Sequence, residues 1–302
     1  MGSKLDSNWK FIIVILLSIS LLGCAEQAGL GKPQIKGSTN QWGEVTDSTT
    51  EVITKVDVYN PNPVPLPLKN VLTTIYMNDI MMGNGSAVKS EIDTNSNSTI
   101  VISTDIQNDR ISEWWISHIK NDEESSMVMK GDLVFDLKVT EFKYPIEKTR
   151  QVNTDILSGL SVSSQRVDST GPGSITIESA ESQWGEVNHD YTQVVTTVKV
   201  QNDYPVDISI EEVNYVVEMN GIRLAEDTSD VTRVIEANSE AELSSTTKMM
   251  NDKLEEWWVT HIENNESSTL NTTVQAVVEA EDQRFELNLL EQRSQFTTSL
   301  LG

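Results

Sequence analysis

From residue 33 onward, apolar and polar positions alternate in short runs. Val52, Thr54, Val56 and Val58 recur at every second position, and Val194, Thr196, Val198 and Val200 do the same later. A period of two sends successive side chains to opposite faces, so each run predicts a half-buried β-strand. Val71, Thr73, Ile75 and Met77 predict the next strand, and Gly83-Asn84-Gly85 a turn beyond it. Ile100, Ile102 and Thr104 predict a further strand; Leu133, Phe135, Leu137 and Val139 predict a later one. Short strands at this spacing predict antiparallel sandwiches of the immunoglobulin or fibronectin kind.

One segment breaks the period. In Asn108–Lys120, Ile111, Trp114, Trp115 and Ile119 fall at i, i+3, i+4 and i+8, which predicts a short helix. Asn108 is placed to cap it, and Asp109 suits its positive end. Adjacent helix residues point about 100° apart, so one tryptophan of the pair should face the core and the other a helix edge or an interface.

The chain repeats itself. Gln41-Trp42-Gly43-Glu44-Val45 returns as Gln183-Trp184-Gly185-Glu186-Val187, and Met77-Asn78 as Met219-Asn220. Trp114-Trp115, His118 and Asn121 return as Trp257-Trp258, His261 and Asn264, and Asn251-Asp252 with Leu254 and Ile262 completes a second helical stripe. An offset constant to within one residue over most of each copy is the mark of a duplicated domain. The expected organisation is a signal or anchor segment at 1–23, a tether at 24–32, domain one at 33–155, a linker at 156–172 rich in small and turn-forming residues, and domain two at 173–302.

Residues 11–22 read FIIVILLSISLL, preceded by Lys4 and Lys10 and followed by Gly23-Cys24. A basic start, a short apolar run and small residues describe a signal peptide. With cysteine after Leu-Leu-Gly it resembles a prokaryotic lipoprotein signal, which implies Cys24 as the lipid attachment residue. An uncleaved anchor is the alternative, although twelve helical residues reach only roughly 18 Å against a hydrocarbon core of roughly 30 Å. Either way the body is expected on the extracytoplasmic face of a cell membrane.

Composition narrows the function classes. The formal net charge is -24, which opposes contact with nucleic acid. One cysteine leaves no intrachain disulfide and no cysteine-based zinc site.

Residues 56–71 read VDVYNPNPVPLPLKNV. Alternating asparagine and proline end the strand at Tyr59 and impose a stiff extended crossover. This arrangement resembles the water-stress and hypersensitive-response domain of the type 2 late embryogenesis abundant proteins. Asn60, Pro61, Asn62 and Pro63 carry the family motif, and Met77-Asn78-Asp79 matches its asparagine-containing turn. The second copy keeps only Asn202 and Pro205 of the motif. The resemblance implies a folded sandwich with one helix, a role in desiccation or osmotic stress, and no enzymatic activity.

No catalytic signature, metal site or cofactor is expected. His118 and His261 are read as packed beside the helix and bonded to backbone, and His189 as a loop residue. Asp122-Glu123-Glu124 and Glu279-Ala280-Glu281-Asp282 lack calcium-loop spacing and read as solvated acidic faces. Asn84, Asn97, Asn265 and Asn271 open sequons and are candidate glycan sites. Two functions remain: a non-catalytic protective surface protein, or an adhesion or scaffold module with a protein or glycan partner. An exposed aromatic surface at Trp114, Trp115, Trp257 and Trp258 would favour the second; covered pairs and a polar acidic exterior would favour the first.

Overall fold

The computed structural model describes residues 30–87, 91–136, 141–161, 165–168, 174–280 and 283–301. Cys24 and its apolar run lie outside them, as do Leu137, Val139, Glu281 and Asp282. Among the described residues no helix is long and apolar enough to cross a membrane.

Copy one comprises β1 (Gln34–Val45), β2 (Thr49–Tyr59), β3 (Leu66–Met77), β4 (Ile80–Ala87), β5 (Glu91–Ile92), β6 (Asn97–Gln107), α1 (Ile111–Lys120), β7 (Glu124–Asp136) and β8 (Glu141–Asn153). A short strand, β9 (Gln165–Asp168), follows. Copy two comprises β10 (Ser174–Val187), β11 (Tyr191–Asn202), β12 (Ile208–Met219), β13 (Ile222–Ile235), β14 (Glu240–Met250), α2 (Leu254–Glu263), β15 (Ser267–Ala280) and β16 (Gln283–Thr297). The chain is mainly β, as its alternation predicts, with antiparallel strands throughout and one late helix per copy. Pro145 sits in β8, an edge strand, where a missing N–H does least harm.

In copy two the strands form separate sheets, β14-β11-β10-β9 and β13-β12-β15-β16. In copy one the equivalent sheets are fused, because β4 pairs with β6 from Gly83↔Ile106 to Ala87↔Ile102. The turn expected at Gly83-Asn84-Gly85 is therefore strand. A Cβ at Gly83 or Gly85 would collide with the backbone carbonyl of Asp105 or Ser103, so these glycines serve close approach of two strands. The turn itself lies at Asn78-Asp79, both at positive φ (49° and 64°), where the family resemblance places it.

The segment expected as a linker is partly structured. Leu157–Leu160 form a single 3-10 turn, Ile156 and Leu160 are buried, and β9 pairs with β10. Each copy has an apolar core between its sheets, the first around Ile92, Ile102 and Phe135, the second around Ile177, Ile208 and Val278. A third core spans both copies and contains all four helix tryptophans.

Candidate functional site: the tryptophan and histidine network between the copies

Each helix follows a 3-10 turn, Asn108–Arg110 or Asn251–Lys253. Asn108 does not cap the helix. Its buried amide instead accepts from Thr50 Oγ1 at 2.9 Å and donates to the carbonyls of Thr46 and Asp47, tying helix entry to the β1–β2 loop. Asn251 does the same with Thr192, Asn188 and His189.

The roughly 100° between adjacent helix positions then separates the tryptophans. Trp114 turns toward its own sandwich, donating Nε1–H to Ser125 Oγ at 2.9 Å. Trp115 turns to the other copy and donates to Thr192 Oγ1 at 3.0 Å. Trp257 and Trp258 mirror this, toward Ser268 at 2.8 Å and Thr50 at 3.0 Å. Trp114 packs edge-on against Trp258 at 5.6 Å, and Trp115 against Trp257 at 5.4 Å. All four are at most 3% exposed, so the aromatic surface weighed from sequence does not form. The second member of each pair is covered by the other copy.

Trp42 and Trp184 complete the cluster. The repeated Gln-Trp-Gly-Glu-Val segment carries a register shift after the tryptophan in both β1 and β10, and such bulges re-aim side chains. Trp42 Nε1 donates to Glu266 Oε1 at 3.0 Å, and Trp184 Nε1 to Glu123 Oε1 at 3.1 Å. The two copies thus exchange equivalent bonds, as in an isologous dimer interface joined by one chain.

Glu123 corrects the reading of Asp122-Glu123-Glu124 as wholly solvated. Asp122 and Glu124 are exposed, but Glu123 is 5% exposed. Asp122 and Glu123 both take positive φ (54° and 61°) after α1, which turns the carboxylate inward. Besides Trp184 it accepts from Thr154 Oγ1 and the Ile156 N–H, both at 2.7 Å, and from the Leu157 N–H at 3.3 Å. Glu266 accepts from Thr298 and the Leu300 N–H. Glu279 is exposed.

The histidines connect these groups. His118 Nδ1 lies 2.8 Å from Ser125 Oγ, and Nε2 lies 2.9 Å from Thr154 Oγ1. Thr154 spends its proton on Glu123, so Nε2 carries a hydrogen and Nδ1 accepts from Ser125. Burial pushes His118 down to about 4, against the opposing charge of Glu123 and a backbone bond at Glu124. His261, between Ser268 and Thr298, is pushed down to about 4 by burial alone. Both pack beside their helices as expected, but both ring nitrogens meet side-chain hydroxyls where a backbone partner was expected. His189 is exposed in a turn beside Asp190.

A serine, a histidine and a carboxylate in series resemble a nucleophile relay. Here Ser125 is 2% exposed, and its oxygen already accepts from Trp114 and from Asn78 Nδ2. Chemically the chain of bonds fixes tautomers and locks packing. Asn78 also explains the repeated Met-Asn pair: its amide reaches Ser117 and accepts from the Ser126 N–H, and Asn220 does likewise with Thr260 and Thr269.

The family motif is structural as well. Asn60 is fully buried; its Nδ2 donates to the carbonyls of Val64, Ile92 and Asp93, and its Oδ1 accepts from Asn62. Asn62 in turn holds Gly31 through both its N–H and its carbonyl. Pro61 lines the approach of Gly31, and Pro63 leads to exposed Val64. Copy two keeps the essential part: Asn202 binds the carbonyls of Val206, Ile235 and Glu236 and accepts from the Tyr204 N–H. Asn84, Asn97 and Asn265 are exposed and Asn271 half-buried.

The sequence signal for Trp42 and Trp184 was the repetition itself; nothing local marks Thr50, Glu123, Thr154 or Glu266 as partners of anything. A family model described as late embryogenesis abundant protein matches residues 55–150 and 197–287. A crystal structure of a protein from Archaeoglobus fulgidus is 30% identical, with 41% of this chain and 99% of that one covered and a TM-score of 0.40. A solution structure of a protein from Arabidopsis thaliana is 16% identical, with 41% of this chain and 82% of that one covered and a TM-score of 0.32. Comparison with curated proteins returns no match.

Proposed function

The chain belongs to the late embryogenesis abundant protein family, and from that premise we propose that it is a non-catalytic surface protein, tethered to the extracytoplasmic face of a membrane, that protects neighbouring envelope components when water activity falls. The observation that carries this reading is the complete burial of both tryptophan pairs in the joint between the copies. What faces outward is then mainly polar and acidic, with most of the acidic excess in residues 173–302. Such a surface holds water and repels like-charged neighbours. The same burial removes the aromatic patch that an adhesion module with a protein or glycan partner would use.

Two measurements test it. Mass spectrometry of membrane-extracted protein is expected to find a chain beginning at lipidated Cys24; retention of residues 1–23 would replace the lipid tether with an uncleaved anchor. Deletion of the gene is expected to lower survival through drying and osmotic shock, with restoration by the intact gene. Unchanged survival would overturn the protective role.

A further inference from the structure

The two sandwiches are unequally filled. Ile102, Met129, Leu133 and Phe135 are buried inside copy one. Their counterparts in copy two, by the internal repeat, are Ser245, Thr272, Ala276 and Val278, each smaller. The seam differs too. Ala225 and Asp227 stand where copy one has Gly83 and Gly85, and β13 and β14 remain in different sheets. Leu243 and Ser245 on β14 are accordingly half-exposed, whereas Ile100 and Ile102 are 1% and 0% exposed.

The result is a cavity of about 80 Å³ between the sheets of copy two, walled by Val198, Leu243, Val274 and Leu289, with Tyr215, Ser245 and Thr272 among the hydroxyl residues that line it. Exposed Ser244 also lines it. None of the described residues lining it is charged. Thr272 is 8% exposed, and its hydroxyl has no hydrogen-bond partner. An unpaired buried hydroxyl is destabilising and calls for a polar atom from elsewhere.

We propose that the second sandwich binds a small uncharged aliphatic alcohol or ester, its hydrocarbon against the valine and leucine walls and its oxygen at the Thr272 hydroxyl. The size fits a short chain: the cavity is about half the roughly 150 Å³ that admits benzene in an apolar core, with the open seam taking the remainder. Charge selects against the corresponding acid, because a carboxylate would enter an apolar slot that holds no cation. Asp227, which faces Tyr215 in register at this seam, adds repulsion. This inference stands apart from the protective reading, and neither depends on the other.

The test uses the full chain with 13C-labelled methyl groups, titrated with 1-octanol and, as the matched charged probe, octanoate at pH 7. Octanol is expected to shift the methyl signals of Val198, Leu243 and Leu289 saturably and to give direct proton contacts to them; octanoate is expected to bind about tenfold more weakly or worse. The double variant Ser245→Ile, Thr272→Met, which restores the bulk of copy one, is expected to abolish the response. Absence of saturable shifts, equal binding of octanoate, or an undiminished response in a folded double variant would overturn the proposal. If the double variant does not fold, the proton contacts in the unaltered chain decide: contacts at these methyls support the site, and their absence or appearance elsewhere overturns it.

Discussion

Trp258 donates its indole N–H to the Thr50 hydroxyl at 3.0 Å across 208 residues of sequence. Thr50 passes its own proton to Asn108, so one copy's helix is bonded to the other copy's helix entry. The copies should therefore unfold together. Trp258→Ala is expected to cost about 3–5 kcal/mol, as for other buried tryptophans, and to lower the melting of both copies in one transition. Calorimetry resolving two transitions, with only the second shifted, would contradict a shared core.

Glu123 accepts four bonds, two of them from backbone N–H groups. Glu123→Gln turns one acceptor oxygen into a donor facing donors, and is expected to cost about 2–3 kcal/mol in urea unfolding. Glu124→Gln, on an exposed neighbour, should stay within about 0.5 kcal/mol. Equal effects would mean that Glu123 is solvated after all.

Both buried histidines are held neutral, with pKa values pushed down to about 4. The unfolded chain then binds more protons than the folded one between about pH 4 and the ordinary histidine value near 6.5. Stability is expected to be fully present above about pH 6.5 and to fall as pH drops toward 4, by about 3 kcal/mol per histidine. Denaturation midpoints from pH 7.5 to 4.5 check this, and His118→Gln should remove about half of the histidine-linked slope.

Within the Asn-Pro-Asn crossover the two asparagines are unequal. Asn60, itself fully buried, donates to three carbonyls, whereas Asn62 mainly holds Gly31. Asn60→Ala and Asn202→Ala are each expected to cost about 3 kcal/mol or more, and Asn62→Ala about 1–2 kcal/mol. Thermal melts reversing that order would place the motif's importance in its second asparagine. Copy two shows why the second is replaceable: Asp203 there accepts from Ser174 and Thr176 and fastens the start of β10 instead.

Local pattern and repetition determined much of this protein. Alternation in Val52–Val58 and the helical spacing of Ile111, Trp114, Trp115 and Ile119 gave strands and helices that the structure bears out, because both depend on which face of an element meets a core. The crossover at Asn60 was legible for a similar reason: proline geometry is local. Gly83 and Gly85 misled, because the same absence of a side chain serves a turn or the close passage of two strands. Glu123 misled because a charge run looks solvated until its backbone turns inward. What only the tertiary structure decided is that the two copies share a core. Trp115 and Trp258 are buried by residues that lie far along the chain, and no periodicity within one copy records what the other copy will cover.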